Sequence, residues 1–178
     1  MIISLSDAQQ INSSVTQADL DAFEQTIRQL TANTFQVKGV RAHGITIAGD
    51  AVSFKRDALT KSIIEGDTLE MHGAGANDGL YTVKAKTEHH ITLDRPPRVS
   101  GSFSNAILSL VVYPADIRAG VIKLLQYDVK MGSKVGVKSE TVSRMSTTYY
   151  DVNSSESMSG YPANLMSFIK KYEKMRWG

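Results

Sequence analysis

The first part of the chain carries apolar residues at helical spacing. An apolar residue recurs every three or four positions, at Leu20, Phe23, Ile27 and Leu30. This spacing is typical of a single apolar stripe along an amphipathic helix. Thr16 precedes the stripe and Asp19 follows three positions later, which is the pattern of a capping box. The pattern predicts a helix over about residues 17–34, and a similar pattern from Ser6 predicts a shorter helix before it.

Near Phe35 the period of the pattern falls to two residues. From there to Val112, short runs alternate apolar with polar residues and are separated by Gly-Asp or Asn-Asp-Gly turns, as strands and their connections do. About six short strands in a stretch of this length predict a small β-barrel or β-sandwich.

Helical spacing returns after Tyr113-Pro114. The apolar face of the next predicted helix consists of Ile117, Val121, Leu124, Leu125 and Val129. Residues 137–152 alternate loosely, which predicts an exposed hairpin or a long strand. A last helix is predicted over residues 161–178, with an apolar face at Leu165, Phe168, Ile169, Tyr172 and Met175.

Together these elements predict an α+β fold with a small helical core, a hairpin and an inserted small β-barrel or β-sandwich domain. The helical core is expected to comprise residues 1–35 and 112–178, and the inserted β-domain residues 36–111. A chain of 178 residues is long enough to bury such cores without disulfides, and it contains no cysteine.

Charge is distributed unevenly, although the net charge is only +2. Residues 1–34 hold four acidic residues and one basic residue, a balance of −3, whereas residues 161–178 hold four basic residues and one acidic residue, a balance of +3. This asymmetry indicates either a contact between the two ends, within one subunit or between neighbours, or simply two solvated helix faces.

The sequence shows no constellation of residues with catalytic or metal-binding chemistry. The absence of cysteine excludes thiolate metal sites and cysteine nucleophiles. His89 and His90 are adjacent, and neighbouring strand residues point to opposite faces, so they are poorly placed to share one ion. We therefore expect no enzyme activity, no catalytic residues, no metal and no cofactor.

Several segments resemble the helical core of tailed-bacteriophage head-to-tail connector proteins, which are also called adaptor or head completion proteins. In chain order, the segments are Tyr113–Leu125, Lys138–Ser143, Ser146–Tyr149 and Gly160–Leu165. The β-region is similar to a small β-module that recurs in phage virion proteins, through residues 62–63, 66–69, 77–83 and 91–93. Connectors of this family typically lack an insertion of this size.

The resemblance implies a structural protein of the virion neck, made in the host cytoplasm. Such subunits form an oligomeric ring, expected to be a dodecamer, below the portal. The ring joins head to tail and extends the channel through which the viral genome is ejected. The implied partners are the portal protein, the tail or next neck protein, further copies of the chain and, transiently and without sequence specificity, phage DNA, with no membrane contact. The alternative is a β-module on a helical scaffold that binds a ligand, a glycan or a nucleic acid.

Candidate docking residues lie near the end of the sequence, where basic and aromatic residues concentrate. Tryptophan and arginine are over-represented among interface hot spots. The residues expected to dock on the portal or a neighbouring subunit are Tyr161, Phe168, Lys170, Lys171, Lys174, Arg176 and Trp177. By the resemblance, Lys138 and Arg144 are expected to face the channel.

Overall fold

A computed structural model describes residues 1–54, 61–131, 139–142, 145–148 and 157–175. The chain divides into two compact units. One unit is formed by Met1 with Thr34–Tyr113, and the other by residues 2–33 with the chain from Pro114 onward. We call them the barrel unit and the helical unit and describe each by itself.

Six antiparallel strands of the barrel unit form a closed barrel in the order β1-β2-β5-β4-β3-β6. The strands are β1 (Gln36–Ala48), β2 (Ala51–Phe54), β3 (Thr68–His72), β4 (Gly79–Lys86), β5 (His90–Leu93) and β6 (Gly101–Val111). A short 3-10 helix, Gly75–Asn77, lies between β3 and β4. Because β1 pairs with both β2 and β6, every strand of this sheet has two neighbours.

The long strand β1 bends where its register to β6 shifts. One shift lies between His43 and Ile45, at Gly44, whose φ of 71° suits glycine. At its far end, β1 turns into β2 through Gly49 and Asp50, with Ala48 opposite Ala51. The predicted Gly-Asp turn at this position is confirmed.

The inward-facing side chains of these strands form one hydrophobic cluster. Its most deeply buried members alternate along their strands, as a period of two requires. They include Ile45, Ile47, Val52, Leu69, Met71, Ile91 and Leu93.

The predicted fold class, a helical core carrying an inserted β-domain, is wrong. The closed six-stranded barrel holds the continuous hydrophobic cluster, so the main core of this protein is a β-barrel core. The prediction underestimated the sheet because only Ile45 and Ile47 marked its first strand. That strand already begins at Gln36, and its first residues include Lys38 and Gly39, which show no clear alternation.

Asn77 joins two loops of the barrel unit. Its side chain is completely buried. The Nδ2 atom donates a hydrogen bond to the Val99 carbonyl at 2.8 Å, and Oδ1 accepts one from the Val99 amide at 2.9 Å. Next to it, the Asp78 carboxylate accepts hydrogen bonds from the amides of Gly73 and Ala74. The Asn-Asp-Gly segment that resembles a phage β-module is therefore a structural latch here.

We expect Asn77→Ala to lower the free energy of unfolding by roughly 2–4 kcal/mol, because it removes two hydrogen bonds and leaves a part-buried backbone donor and acceptor unpaired. Urea unfolding of the full chain measures this. Asn105→Ala, at an exposed position of β6, is the matched control and should change stability by less than about 0.5 kcal/mol. Equal effects of the two variants would contradict the latch.

The described part of the helical unit contains three α-helices: α1 (Leu5–Ile11), α2 (Gln17–Thr31) and α3 (Ala115–Met131). Two strand pairs, β7 (Ser139–Val142) with β8 (Met145–Thr148) and β9 (Ser157–Met158) with β10 (Tyr161–Pro162), and a 3-10 helix (Ser167–Tyr172) complete its described elements. The capping box of α2 is confirmed, since the Thr16 amide donates to Asp19 Oδ2 at 2.8 Å and Thr16 Oγ1 accepts from the Asp19 amide. The N-cap of α1 is Ser4 rather than Ser6.

The predicted α-helix over residues 161–178 is wrong: of its described residues, only Ser167–Tyr172 are helical, and they form a 3-10 helix. Tyr161–Pro162 is a strand, which the positive φ angles of Ser159 (51°) and Gly160 (83°) turn back onto β9. The following 3-10 helix buries Ile169, and Met166 is buried three residues before it, which matches three residues per turn. Apolar residues spaced three apart fit both helix types, so periodicity alone favoured the α-helix.

The 3-10 helix lies close to α3 at Gly120. A Cβ atom added to Gly120 would come within 2.5 Å of the Phe168 ring. Glycine in the middle of a helix normally costs stability, so its use here is explained by the ring that needs the space.

Gly120→Ala should therefore destabilise the protein by about 1–2 kcal/mol, because overpacking against Phe168 outweighs the gain of about 1 kcal/mol in helix propensity. The double variant Gly120→Ala/Phe168→Leu should recover part of the loss, and Ala119→Ser, exposed on the same helix, should have little effect. Thermal or urea unfolding measures all three. A more stable Gly120→Ala variant would show that the ring does not need this space.

Candidate docking site

A pocket of about 400 Å³ lies in the helical unit between α2, α3 and the turn that joins β9 to β10. Its wall combines apolar groups with two carboxylates, from Asp19 and Asp128, and the described lining contains no lysine, arginine or histidine. The full lining is Asn12, Ser14, Val15, Asp19, Ala22, Phe23, Thr26, Ile27, Leu124, Asp128, Ser159, Tyr161 and Met166. We call this cavity the acidic pocket.

Tyr161 and Asp128 form the polar centre of the acidic pocket. The Tyr161 hydroxyl donates a hydrogen bond to Asp128 Oδ2 at 2.8 Å. The Tyr161 ring lies 6.1 Å from the Phe23 ring and 6.0 Å from the Tyr127 ring, centroid to centroid. The aromatic contacts and the hydrogen bond fix the tyrosine between α2 and α3.

The two carboxylates of the pocket differ in their electrostatic environment. Burial raises the pKa of Asp128 above its ordinary value, and the charge of Asp19 raises it further against the opposing effect of the Tyr161 hydrogen bond. Burial and the hydrogen bond to Asp128 raise the pKa of Tyr161, which therefore stays protonated as the donor. Hydrogen bonds from Thr16 lower the pKa of Asp19. Asp19 is thus readily ionised, and the charge of Asp128 is costly in the folded chain.

A second charged cluster lies at the other end of α3. The Lys171 ammonium pairs with Asp116 in the first turn of α3, and the Tyr172 hydroxyl donates to the same carboxylate. The Lys171 ammonium also lies 5.2 Å from the centre of the Tyr172 ring. The hydrogen bond from Lys171 is the main reason why the pKa of Asp116 is lowered. These contacts anchor the end of the 3-10 helix to α3.

The structure separates the predicted docking residues. Tyr161 lines the acidic pocket, Phe168 packs against Gly120, and Lys171 is paired with Asp116. Lys170 and Lys174 are exposed. Arg176, Trp177 and the predicted channel residues Lys138 and Arg144 lie outside the described residues. The docking and channel roles of all these residues stay predictions.

Sequence reasoning missed the two carboxylates of the pocket. Asp128 precedes Tyr161 by 33 residues, and no local pattern links the two. Asp19 was identified only as a capping residue, a role that it does fill. The half-buried Phe23 belongs to the predicted apolar stripe of α2, and its ring lines the pocket.

The barrel unit has a cavity of its own, with a volume of about 610 Å³. Four of its lining residues carry a hydroxyl group, and two are phenylalanines. The full lining is His43, Gly44, Ile45, Thr46, Ser53, Phe54, Ser102, Phe103 and Ser104, of which Thr46, Ser53, Ser102 and Ser104 carry the hydroxyl groups. The hydroxyls of Thr46 and Ser102 bond to each other at 3.0 Å, and Ser53 Oγ donates to the Thr46 carbonyl. Part of the hydrogen-bonding capacity of this wall is therefore already used within the barrel.

No protein-family model matches this chain, and no curated protein matches it. Within the described ranges, no three His, Asp or Glu residues lie together as a metal site requires. None of the helices there has the length and apolar character needed to cross a membrane.

We expect Asp128→Asn to raise the free energy of unfolding at pH 7. A carboxyl whose pKa is raised by folding binds its proton more tightly in the folded chain, so its ionised form costs stability. The cost is absent below the unfolded pKa, about 3.9, and grows as the pH rises through the folded value. Asparagine removes the charge and keeps an oxygen acceptor for Tyr161.

Urea unfolding at pH 7 and at pH 3 measures this difference, which should be present at pH 7 and shrink at pH 3. Asp21→Asn is the matched control, because Asp21 is exposed on α2 and accepts a hydrogen bond from Gln17. An Asp128→Asn variant that is less stable at pH 7 than the original chain would show that the carboxylate supports the fold.

Proposed function

We propose that this chain is a structural virion protein that forms a ring below the portal, joins the phage head to the tail and extends the DNA channel. The observation that carries the proposal is a contact between the last segment that resembles connector proteins and the helix that contains most of the first such segment. Helix α3 begins within the first segment, Tyr113–Leu125, and Tyr161, in the Gly-Tyr-Pro motif of the last segment, donates its hydroxyl to Asp128 of that helix. The last segment and α3 therefore belong to one packed unit, as a shared family core would require.

The barrel unit is consistent with a structural role. Its Asn-Asp-Gly motif is used internally, with Asn77 bonded to Val99 and Asp78 bonded to the Gly73 and Ala74 amides. Residues used in this way hold loops together and are not available to bind a ligand. In the proposed neck protein, the barrel unit provides the main hydrophobic core of each subunit.

The second candidate function is a binding module, and the cavity of the barrel unit favours it. Hydroxyl groups beside the aromatic rings of Phe54 and Phe103 are the kind of wall that can bind a small polar ligand. We rank this function second because part of the hydroxyl set is already satisfied internally.

The proposal is tested by incubating the purified full chain, alone and with the portal protein of the same genome, followed by native mass spectrometry and electron microscopy. We expect rings of this chain, or assemblies that form only on the portal, because a connector contributes many weak contacts that add in a ring. A chain that stays monomeric with and without portal, and that binds a glycan or nucleotide saturably, would contradict the connector function and support the binding module.

A further inference from the structure

The exposed basic residues near the end of the described chain are held in a defined place. We call residues 170–175 the lysine segment. The Lys174 amide donates to the Thr31 carbonyl at 2.8 Å, and Asn33 Nδ2 donates to the Tyr172 carbonyl at 3.3 Å. These bonds fix the segment to the carboxyl end of α2. Lys174 is exposed, and the Met175 side chain that follows is 80% exposed.

The lysine segment and the acidic pocket lie at opposite ends of the same helix pair. Thr31 is twelve residues from Asp19 along α2, and Asp116, which pairs with Lys171, is twelve residues from Asp128 along α3. At 1.5 Å per residue, each separation is about 18 Å. A lysine places its ammonium only about 6 Å from its own Cα. Lys174 therefore cannot reach the carboxylates of its own pocket.

The chemistry of the pocket matches a lysine side chain. Asp19 and Asp128 provide two acceptors for an ammonium group, while Phe23 and Leu124 provide apolar and aromatic surface for the four-carbon stem. Asp128 also lies in the last turn of α3, where the helix dipole favours a cation. An exposed methionine beside the lysine adds a flexible apolar group that adapts to an irregular wall.

We propose that the acidic pocket is an ammonium-binding socket that receives Lys174 of a neighbouring copy of this chain, with Met175 packed beside it. The inference rests on the proposed function in that the copies belong to a ring. A patch that binds a different patch on the next copy is a heterologous contact, and such contacts generate rings when their rotation closes.

The cost of ionising Asp128 in the isolated subunit supports this role. A cation from a neighbour removes that cost, so the carboxylate opposes folding slightly and favours assembly. A carboxylate with a purely structural role would instead favour both the folding of the subunit and its assembly. Asp128→Asn should therefore move stability and assembly in opposite directions, which no packing role explains.

A synthetic peptide of residues 167–178 tests the socket directly when it is titrated into the full chain by calorimetry. Asp128→Asn should weaken binding about tenfold or more, as expected for the loss of a hydrogen bond to a charged group, and a peptide with Lys174→Glu should bind as weakly. Asp21→Asn, on α2 and outside the pocket, should bind the peptide like the original chain. Equal binding by the Asp128→Asn variant overturns the proposal.

Mixing tests whether the contact joins different patches. Asp128→Asn chains keep an intact lysine segment, and Lys174→Glu chains keep an intact socket. Each variant alone should assemble poorly, whereas their mixture should form dimers, because one complementary contact remains. If each variant alone forms rings as readily as the original chain, the socket is overturned and the neck function is retained. If the peptide binds in a way that depends on Asp128 but the chain does not assemble on the portal, the socket is retained and the neck function is overturned.

Discussion

The pairing of β1 with β6 is the constraint on which the rest of this structure depends. It closes the barrel, and it also brings together the points at which the chain enters and leaves the barrel unit. The Val112 amide donates to the Phe35 carbonyl at 3.0 Å, and the Phe35 and Tyr113 rings lie 4.9 Å apart. The chain therefore returns after about 80 residues to the place from which it started. For this reason α2 and α3, which are far apart in sequence, can belong to one unit without a long linker.

Local signals in the sequence were sufficient where the structure itself is local. The capping box at Thr16 and Asp19 and the turn at Gly49 both depend on neighbouring residues, and both were predicted. The first half of β1 was missed because its pairing with β6 is long-range. The 3-10 helix was missed because residues spaced three apart cannot distinguish it from an α-helix. The pocket could not be predicted either, since Asp128 and Tyr161 meet only through the turn at Ser159 and Gly160.

The charge asymmetry of the sequence acquires a physical meaning in the helical unit. Asp19 lies at the pocket and the lysine segment lies at the far end of α2, so Asp19 and Lys174 are too far apart to pair within one chain. Lys171 pairs with Asp116 in the same chain and anchors the segment. An anchored segment loses little conformational freedom on binding, which favours a contact made by only two side chains. The proposed contact therefore joins the acidic pocket of one copy to the lysine segment of another.

Site-specific cross-linking tests this central claim most directly, because the chain contains no cysteine of its own. Ser159 lines the acidic pocket at its exposed rim, and Met175 belongs to the lysine segment. The double variant Ser159→Cys/Met175→Cys, treated with a short bifunctional maleimide, should give a ladder of covalent oligomers that ends at a closed ring. Each single variant should stay free of the ladder, because like positions do not meet in a heterologous contact. A double variant that remains a monomer on a denaturing gel under conditions where the chain assembles would contradict the account.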